Sequence, residues 1–466
     1  MRRFFVSPNL RGVLNNVRFV SNSDSSESSV TDFLDKNEEY DSLASRYLGQ
    51  SSYNCFIIHP YVKWGPDKIR DTTPSNQLQE AVALIRTLSS WKVIDTSIAP
   101  LTSFQKKMFF GKGTLEKLRS QIRGNPNVTA AFINVATLRN SHLTELENEF
   151  GVTIFDRYNI VMQILRMHAI STHSRLQVSL AEIPYLRARI RHDNVGVVTG
   201  EHYDTRRIML QDREKQIKSA IKKLKSQRQL LRNRRTTMDF PVVSVIGYTN
   251  SGKTSLIKAL TGEEKMQPQN QLFATLDVTF HAGQLPSKLK VLYVDTVGFI
   301  AEIPTSLIEC FNVTLEDAMI ADVILHVVDL SSPDLQHQEN HVLKTLESLA
   351  MNNNFESSSD KIITVGNKCD LVASCKGNMI PVSATKHLGL DVLQQEIENA
   401  VLKATDRKIV VMKVPSGGDE MRWLYKNAVV LDVSADQHNS DFQQMKIIVT
   451  KVKLDQFKSY FIENKC

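Results

Sequence analysis

The chain is predicted to be an α/β protein, and three observations carry that prediction. Over residues 55–155, short apolar runs alternate with helix-period stretches, as in a parallel sheet with crossover helices. A second alternation starts at Val242-Val243-Ser244-Val245-Ile246, crosses the octet Gly247-Tyr248-Thr249-Asn250-Ser251-Gly252-Lys253-Thr254, and enters Leu256-Ile257-Lys258-Ala259-Leu260. Between them lies a long helical stretch, residues 160–236, rich in Lys and Arg. The expected order is a small parallel α/β domain with a long helical arm, a P-loop domain, and a small α+β C-terminal domain.

Composition sets the bounds. A chain of 466 residues has room for several domains, and 42% hydrophobic with 23% charged residues is ordinary for a globular protein. Its five cysteines lack metal-ligand spacing and suggest a reducing compartment without a disulfide framework. No apolar run approaches the roughly 18–20 residues of a membrane span. A formal charge of +7 points to an acidic partner.

Residues 1–23 contain Arg2, Arg3, Arg11 and Arg18, and no acid precedes Asp24. Val6, Leu10, Val13, Leu14 and Val17 would share one helical face. That composition matches a mitochondrial transit peptide, which implies the matrix; an unstructured N-terminus is the alternative. Residues 24–50, rich in Ser and acids, read as a disordered linker.

In the first domain, residues 51–170, strands are expected at Cys55–Ile58, Trp91–Ile94, Val128–Val135 and Val152–Phe155. Helices are expected at Gln77–Leu88, Leu115–Ile122 and Leu143–Phe150. Phe110-Gly111-Lys112-Gly113 reads as a turn or as a nucleic-acid or second nucleotide contact. The arm, residues 171–238, carries an apolar stripe at Leu210, Ile217, Ile221, Leu224 and Leu231, interrupted upstream near Val195–Gly200. Between Asp212 and Arg235 it holds ten Lys/Arg against two acids. Lys215, Lys218, Lys222, Lys223, Lys225, Arg228 and Arg232 are the candidate RNA-phosphate contacts, although such a run can also be a solvated face.

The octet, inside residues 239–405, is Gly-x-x-x-x-Gly-Lys-Thr between a strand and a helix. Its glycines let backbone N–H groups curl around phosphate, and the helix N-terminus adds positive potential. Lys253 reaches the outer phosphates, and Thr254, followed by Ser255, offers a hydroxyl to Mg²⁺. Guanine is indicated by Asn367-Lys368-Cys369-Asp370 after the run Lys361–Val365. The Asp370 carboxylate can accept from guanine N1–H and its amine, a pair adenine lacks. Asn367 and the Lys368 stem would support the base, and Ser383-Ala384-Thr385 would present a backbone N–H to its carbonyl.

Two segments would sense the γ-phosphate. Asp295-Thr296-Val297-Gly298 ends the run Val291–Val294, with Asp295 holding Mg²⁺ through water and the Gly298 N–H meeting phosphate. Phe273-Ala274-Thr275-Leu276-Asp277 lies in a loop, with Thr275 the candidate second Mg²⁺ hydroxyl and Thr279 its rival. Lys253, Thr275 and Gly298 are thus the catalytic candidates. Where many regulatory GTPases place a water-orienting glutamine, this chain has Phe299. Either intrinsic hydrolysis is slow and stimulated by a partner, or Phe299 simply packs.

In residues 406–466, strands are expected at Lys408–Val414, Val429–Val433 and Ile447–Val452. A helix should start near Gly417–Leu424, and another covers Leu454–Phe461. No catalytic constellation is evident there.

Together these pieces resemble the HflX family of ribosome-associated GTPases over roughly residues 80–435. The marks are Gly247–Thr254, Leu272–Asp277, Asp295–Ile300, Leu325–Asp329 and Pro415–Asp419, with Phe155-Asp156-Arg157 and Leu176-Gln177-Val178 upstream. The resemblance implies a Mg²⁺-dependent GTP hydrolase whose first domain and arm dock on the large ribosomal subunit near the peptidyl transferase centre. It implies a role in subunit separation, recycling or late assembly, and with the basic N-terminus it is similar to mitochondrial members. One departure is Val198-Thr199-Gly200-Glu201-His202, where the family usually has Arg-Gly-Pro-Gly-Glu. A monomer is expected. A GTPase acting on tRNA or an RNA-modification enzyme, or an RNA-binding scaffold with structural nucleotide, are the alternatives.

Overall fold

The sequence folds around three sheets, described by a computed structural model over residues 38–48, 52–65, 68, 70–101, 103–104, 106, 108–193, 200–238, 240–269, 271–302, 319–353, 361–373, 379–436 and 441–462. The basic segment 1–23 lies outside these residues, as do positions 194–199, which include Val198 and Thr199 of the stretch that departs from the family pattern.

Residues 38–48, expected as linker, instead form helix α1 (Glu38–Leu48). Tyr40, Leu43, Ala44 and Leu48 fall on one helical face and are buried, a short 3.6-residue stripe masked by the polar residues Asp41, Ser42, Ser45 and Arg46 between them.

The first domain then runs β1 (Asn54–Val62), α2 (Pro74–Thr87), β2 (Lys92–Leu101), α3 (Lys112–Arg123), β3 (Ala130–Ile133), α4 (Asn140–Phe150), β4 (Thr153–Asp156) and α5 (Arg157–His168). Its strands pair in parallel in the order β2-β1-β3-β4. Helices cover both faces, so Cys55, Phe56, Ile57 and Ile58 are buried without alternation. Helix α2 starts where a starting signal exists. Thr73 caps the Asn76 N–H, and Pro74 occupies the first turn.

The arm consists of α6 (Thr172–Asp193) and α7 (Gly200–Met238). Leu210 and Ile217 of α7 are buried with Leu176, Ile183, Leu186 and Ile190 of α6, while Ile221 and Leu224 are partly buried. The α1 helix lies against both. Tyr40 donates its hydroxyl to Glu182, and the Arg213 guanidinium stands 3.8 Å above the Tyr40 ring.

The second sheet is built from β5 (Val242–Gly247), α8 (Lys253–Thr261), β6 (Thr279–Gln284), β7 (Lys290–Asp295), β8 (Val323–Asp329), α9 (Leu335–Asn353), β9 (Ile362–Asn367), β10 (Ile380–Pro381) and α10 (Leu390–Ala404). Its order is β10-β9-β8-β5-β7-β6, with only β6 antiparallel. The half-buried edge strand β6 lacks the continuous apolar run that marks its neighbours, so the sequence reading missed it. Strand β5 lies between β8 and β7, so connections leave it in both directions. The resulting crevice at the strand's C-terminal end is where open α/β sheets bind ligands.

The last domain runs β11 (Arg407–Pro415), α11 (Asp419–Asn427), β12 (Val429–Ala435), β13 (Phe442–Thr450) and α12 (Lys451–Phe461), an antiparallel sheet ordered β11-β13-β12. Val414, Leu424, Met445, Ile447, Val449 and Phe457 form its core.

One feature of packing was not legible in sequence. Ile246 of β5, with Tyr248, Leu272, Phe273, Leu276, Val297, Phe299 and Ile300 of the second sheet's loops, shares a single buried core with the first domain and arm.

Candidate functional site

At the C-terminal end of β5 a cavity of about 400 Å³ opens. Thr249, Asn250, Gly252, Lys253, Thr254 and Ser255 line it from the phosphate loop, and Phe273, Ala274 and Thr275 from the following loop. Gly298 contributes after β7, and Asn367, Lys368, Asp370, Ala384 and Thr385 after β9 and β10. Pro268, Gln269, Gln271 and Leu371 also line it and carried no sequence signal.

The loop requires glycine at both ends, and a Cβ on Gly247 would lie 2.2 Å from the Val327 carbonyl oxygen. Gly252 has φ of 89°, and a Cβ there would lie 2.3 Å from Asn367 Nδ2. That closeness is functional in the fold. Asn367 Nδ2 donates to the Ser251 carbonyl at 2.9 Å, and Lys368 Nζ donates to the Asn250 carbonyl at 3.0 Å. Asp329, at the end of β8, holds Lys368 at 2.6 Å. Asn367 and Lys368, expected beside the base, therefore also brace the phosphate loop. In the segment Ser383–Thr385, expected to present a backbone N–H to the base carbonyl, the Ala384 N–H donates to Asn367 Oδ1 at 3.2 Å. Ser383 is buried and its Oγ accepts the Lys386 N–H. Asp370 is exposed at the cavity wall.

Lys253 is buried beneath the loop, donating to the Tyr248 carbonyl at 2.9 Å and the Gly247 carbonyl at 3.3 Å. Burial pushes its ammonium down to about 8, opposed by the nearby Asp295 charge. Burial pushes the Asp295 carboxyl up, opposed by hydrogen bonds from Thr254 and Thr275 and by Lys253 and His281. Thr254 Oγ1 donates to Asp295 Oδ2 at 2.7 Å and lies 3.1 Å from Thr275 Oγ1, which is 3.3 Å from the same carboxylate oxygen. The three predicted oxygen donors thus converge. Thr279 does not join them; its hydroxyl is 2.9 Å from His281 Nε2 on β6.

Several expected residues face away from the cavity. Thr296 Oγ1 donates to the Val245 carbonyl inside the sheet, and Val297 is a core residue. Tyr248 turns its ring into the shared core. Phe299 is buried there too; its N–H donates to the Gly247 carbonyl at 3.0 Å and its carbonyl accepts the Thr249 N–H at 2.7 Å. On the arm, Lys215, Lys218, Lys222 and Lys223 are exposed, with Lys215 paired to Asp212 and Lys218 to Glu214. The side chains of Lys225, Arg228 and Arg232 lie outside the described residues. Arg213, counted in the basic run, is buried against Tyr40 and offers no surface charge.

Comparison with known proteins agrees with this geometry. The family described as 50S ribosome-binding GTPase matches residues 242–368. The family described as GTP-binding GTPase N-terminal matches residues 75–165. A Homo sapiens protein named GTP-binding protein 6 is 41% identical over 444 residues, covering 92% of this chain and 85% of that relative. Its Xenopus laevis namesake is 39% identical over 89% of this chain and 81% of its own length. GTPase HflX of Caldanaerobacter subterraneus subsp. tengcongensis is 35% identical over 315 residues, 65% of this chain and 72% of the relative. A phosphate loop at the sheet's switch point, an Asn-Lys-x-Asp strand end beside it and similarity over nearly the whole chain lead to one conclusion: this protein belongs to the HflX family of GTP-binding proteins and is a GTP hydrolase.

Proposed function

We propose that the protein is a GTP-driven factor of the large mitochondrial ribosomal subunit, acting in subunit dissociation and recycling or in late large-subunit assembly. The observation that carries this reading is the shared core. The loops around Thr275 and Gly298 pack with the first domain and the root of the basic arm, so nucleotide state and arm posture are mechanically joined. A family described as 50S ribosome-binding GTPase matches the G domain, and the exposed lysines of α7 suit RNA phosphates. Ribosome and GTP would then each raise the other's affinity by linkage. The acid-free, Arg-bearing residues 1–23 support import into the matrix.

The donor set at Thr254, Thr275 and Asp295 fits Mg²⁺. All three are oxygen ligands, and Asp295 Oδ1 is buried with no hydrogen-bond partner among the described residues. Thr254 and Thr275 would hold the ion directly and Asp295 through water, the ion neutralising charge on the β- and γ-phosphates. Lys253 would move from the loop carbonyls to the outer phosphates, and the Gly298 N–H would hold a γ-oxygen. Water then attacks the γ-phosphorus, the bond to the β-phosphate oxygen breaks, and GDP and phosphate leave. Phe299 is apolar and cannot orient that water, so the intrinsic rate is slow and a docked partner supplies the missing group.

Sedimentation of the purified chain with isolated large mitoribosomal subunits tests the reading, alongside turnover with and without them. GTP-dependent co-sedimentation with stimulated hydrolysis is expected. Association indifferent to nucleotide would favour a scaffold, and none at all a tRNA-directed GTPase. The first 25 residues fused to a reporter test import.

A further inference from the structure

We propose that Ser171 and Ser174, at the root of the arm, are positioning residues that hold Thr275 in the magnesium-binding cluster by anchoring Asp277. Asp277 lies two residues beyond Thr275. Its Oδ1 accepts the Ser171 hydroxyl at 2.5 Å and its Oδ2 the Ser171 N–H at 3.3 Å, while the Ser174 hydroxyl, which donates to the Ser171 carbonyl at 2.9 Å, lies 3.3 Å from the same Oδ2. Ser171 Oγ also accepts the Ser174 N–H at 3.1 Å, so the carboxylate completes the N-terminal cap of α6, where its charge is favoured. The segment is held on the other side as well. Phe273, two residues before Thr275, has φ of 55°, a conformation bulky residues avoid, and its ring is 5% exposed in the shared core. His168, at the end of α5, faces the Phe273 backbone. Leu272 and Leu276 pack in that same core. The junction between α5 and α6 therefore grips both flanks of Thr275, each within about 7 Å of chain.

A loop that must order around a γ-phosphate loses conformational freedom on binding. Anchors already present in the protein reduce that loss, and they favour the triphosphate because only it engages Thr275. The inference rests on GTP hydrolysis alone and stands apart from ribosome association.

The test uses the full chain with Mg²⁺. Affinity for a non-hydrolysable GTP analogue and for GDP is measured, with single-turnover hydrolysis, in wild type, Ser171→Ala/Ser174→Ala, Asp277→Asn and Ser171→Thr. In the double alanine variant and in Asp277→Asn, analogue affinity and turnover should fall about tenfold. GDP affinity should stay within about twofold, and Ser171→Thr should keep wild-type values. Should the double variant fail to fold, Asp277→Asn reads the same contact from the other side. Equal losses for both nucleotides, or no loss for either, would mean that these hydroxyls only cap a helix and overturn the proposal.

Discussion

Tyr248 of the phosphate loop donates its hydroxyl to Glu80 of α2, 168 residues away, at 2.9 Å. The same oxygen accepts the Ala301 N–H at 2.9 Å, and Glu80 pairs with Arg157. Burial and the Glu80 charge push the Tyr248 hydroxyl well above its ordinary range, so it stays a donor. Nearby, Gln77 donates to Glu302 at 3.1 Å, and Thr72 and Asn76 each donate to Asp334 at 2.8 Å. The first domain thereby holds the phosphate loop, the segment after Gly298 and the turn before α9 through polar contacts. Tyr248→Phe should lower stability by about 1–3 kcal/mol by orphaning the Ala301 N–H. An unchanged melting midpoint would contradict this.

Phe299→Gln should not speed hydrolysis. The side chain is 8% exposed in the shared core and does not line the cavity. A glutamine there would bury an amide and leave a void, costing about 2–4 kcal/mol. Single-turnover kinetics beside a denaturant titration separates the two effects; faster turnover in a stable variant would refute the packing account.

Lys253→Met should abolish nucleotide binding without harming the fold. Removing a buried ammonium also removes its desolvation cost. In wild type the folded ammonium titrates at about 8 against an unfolded value of 10.5. Between those values the unfolded chain binds more protons, so stability rises with pH. That rise should vanish in Lys253→Met, as melts from pH 7.5 to 10 would show.

Asp370→Asn should exchange guanine for xanthine preference. Asparagine donates where the carboxylate accepted, which suits a carbonyl at C2. GTP affinity should fall at least about a hundredfold, with xanthosine triphosphate gaining. Competition binding checks it, and unaltered GTP affinity would move the base away from Asp370.

His59 is 3% exposed, and its Nδ1 lies 3.0 Å from Asn134 Nδ2. Burial pushes its pKa down to about 4 from 6.5, aided by Arg157 and opposed by Gln77 and Glu80. The unfolded state takes up the proton first on acidification, so this contribution is complete above pH 6.5 and lost towards pH 4. His59→Gln should lose less stability over that window than wild type. Parallel slopes in the two melts would assign the acid sensitivity elsewhere.

What the sequence determined by itself was local. Gly252, Lys253 and Thr254 follow one strand, and Asn367 to Asp370 end another. Parallel strands bind ligands at their carboxyl ends, so most of the cavity's walls are legible in the sequence. The buried strands β1, β5 and β7 were legible because their apolar runs are continuous, whereas β6 and α1 were hidden by mixed composition. Tertiary structure alone decided that Tyr248 and Phe299 serve a core shared between domains, that Asn367 braces the loop as well as bordering the base site, and that Asp277 reaches the arm. Those contacts join residues 100 or more positions apart. No periodicity encodes such a pairing, because helix and strand periods report only which face is buried and not what covers it.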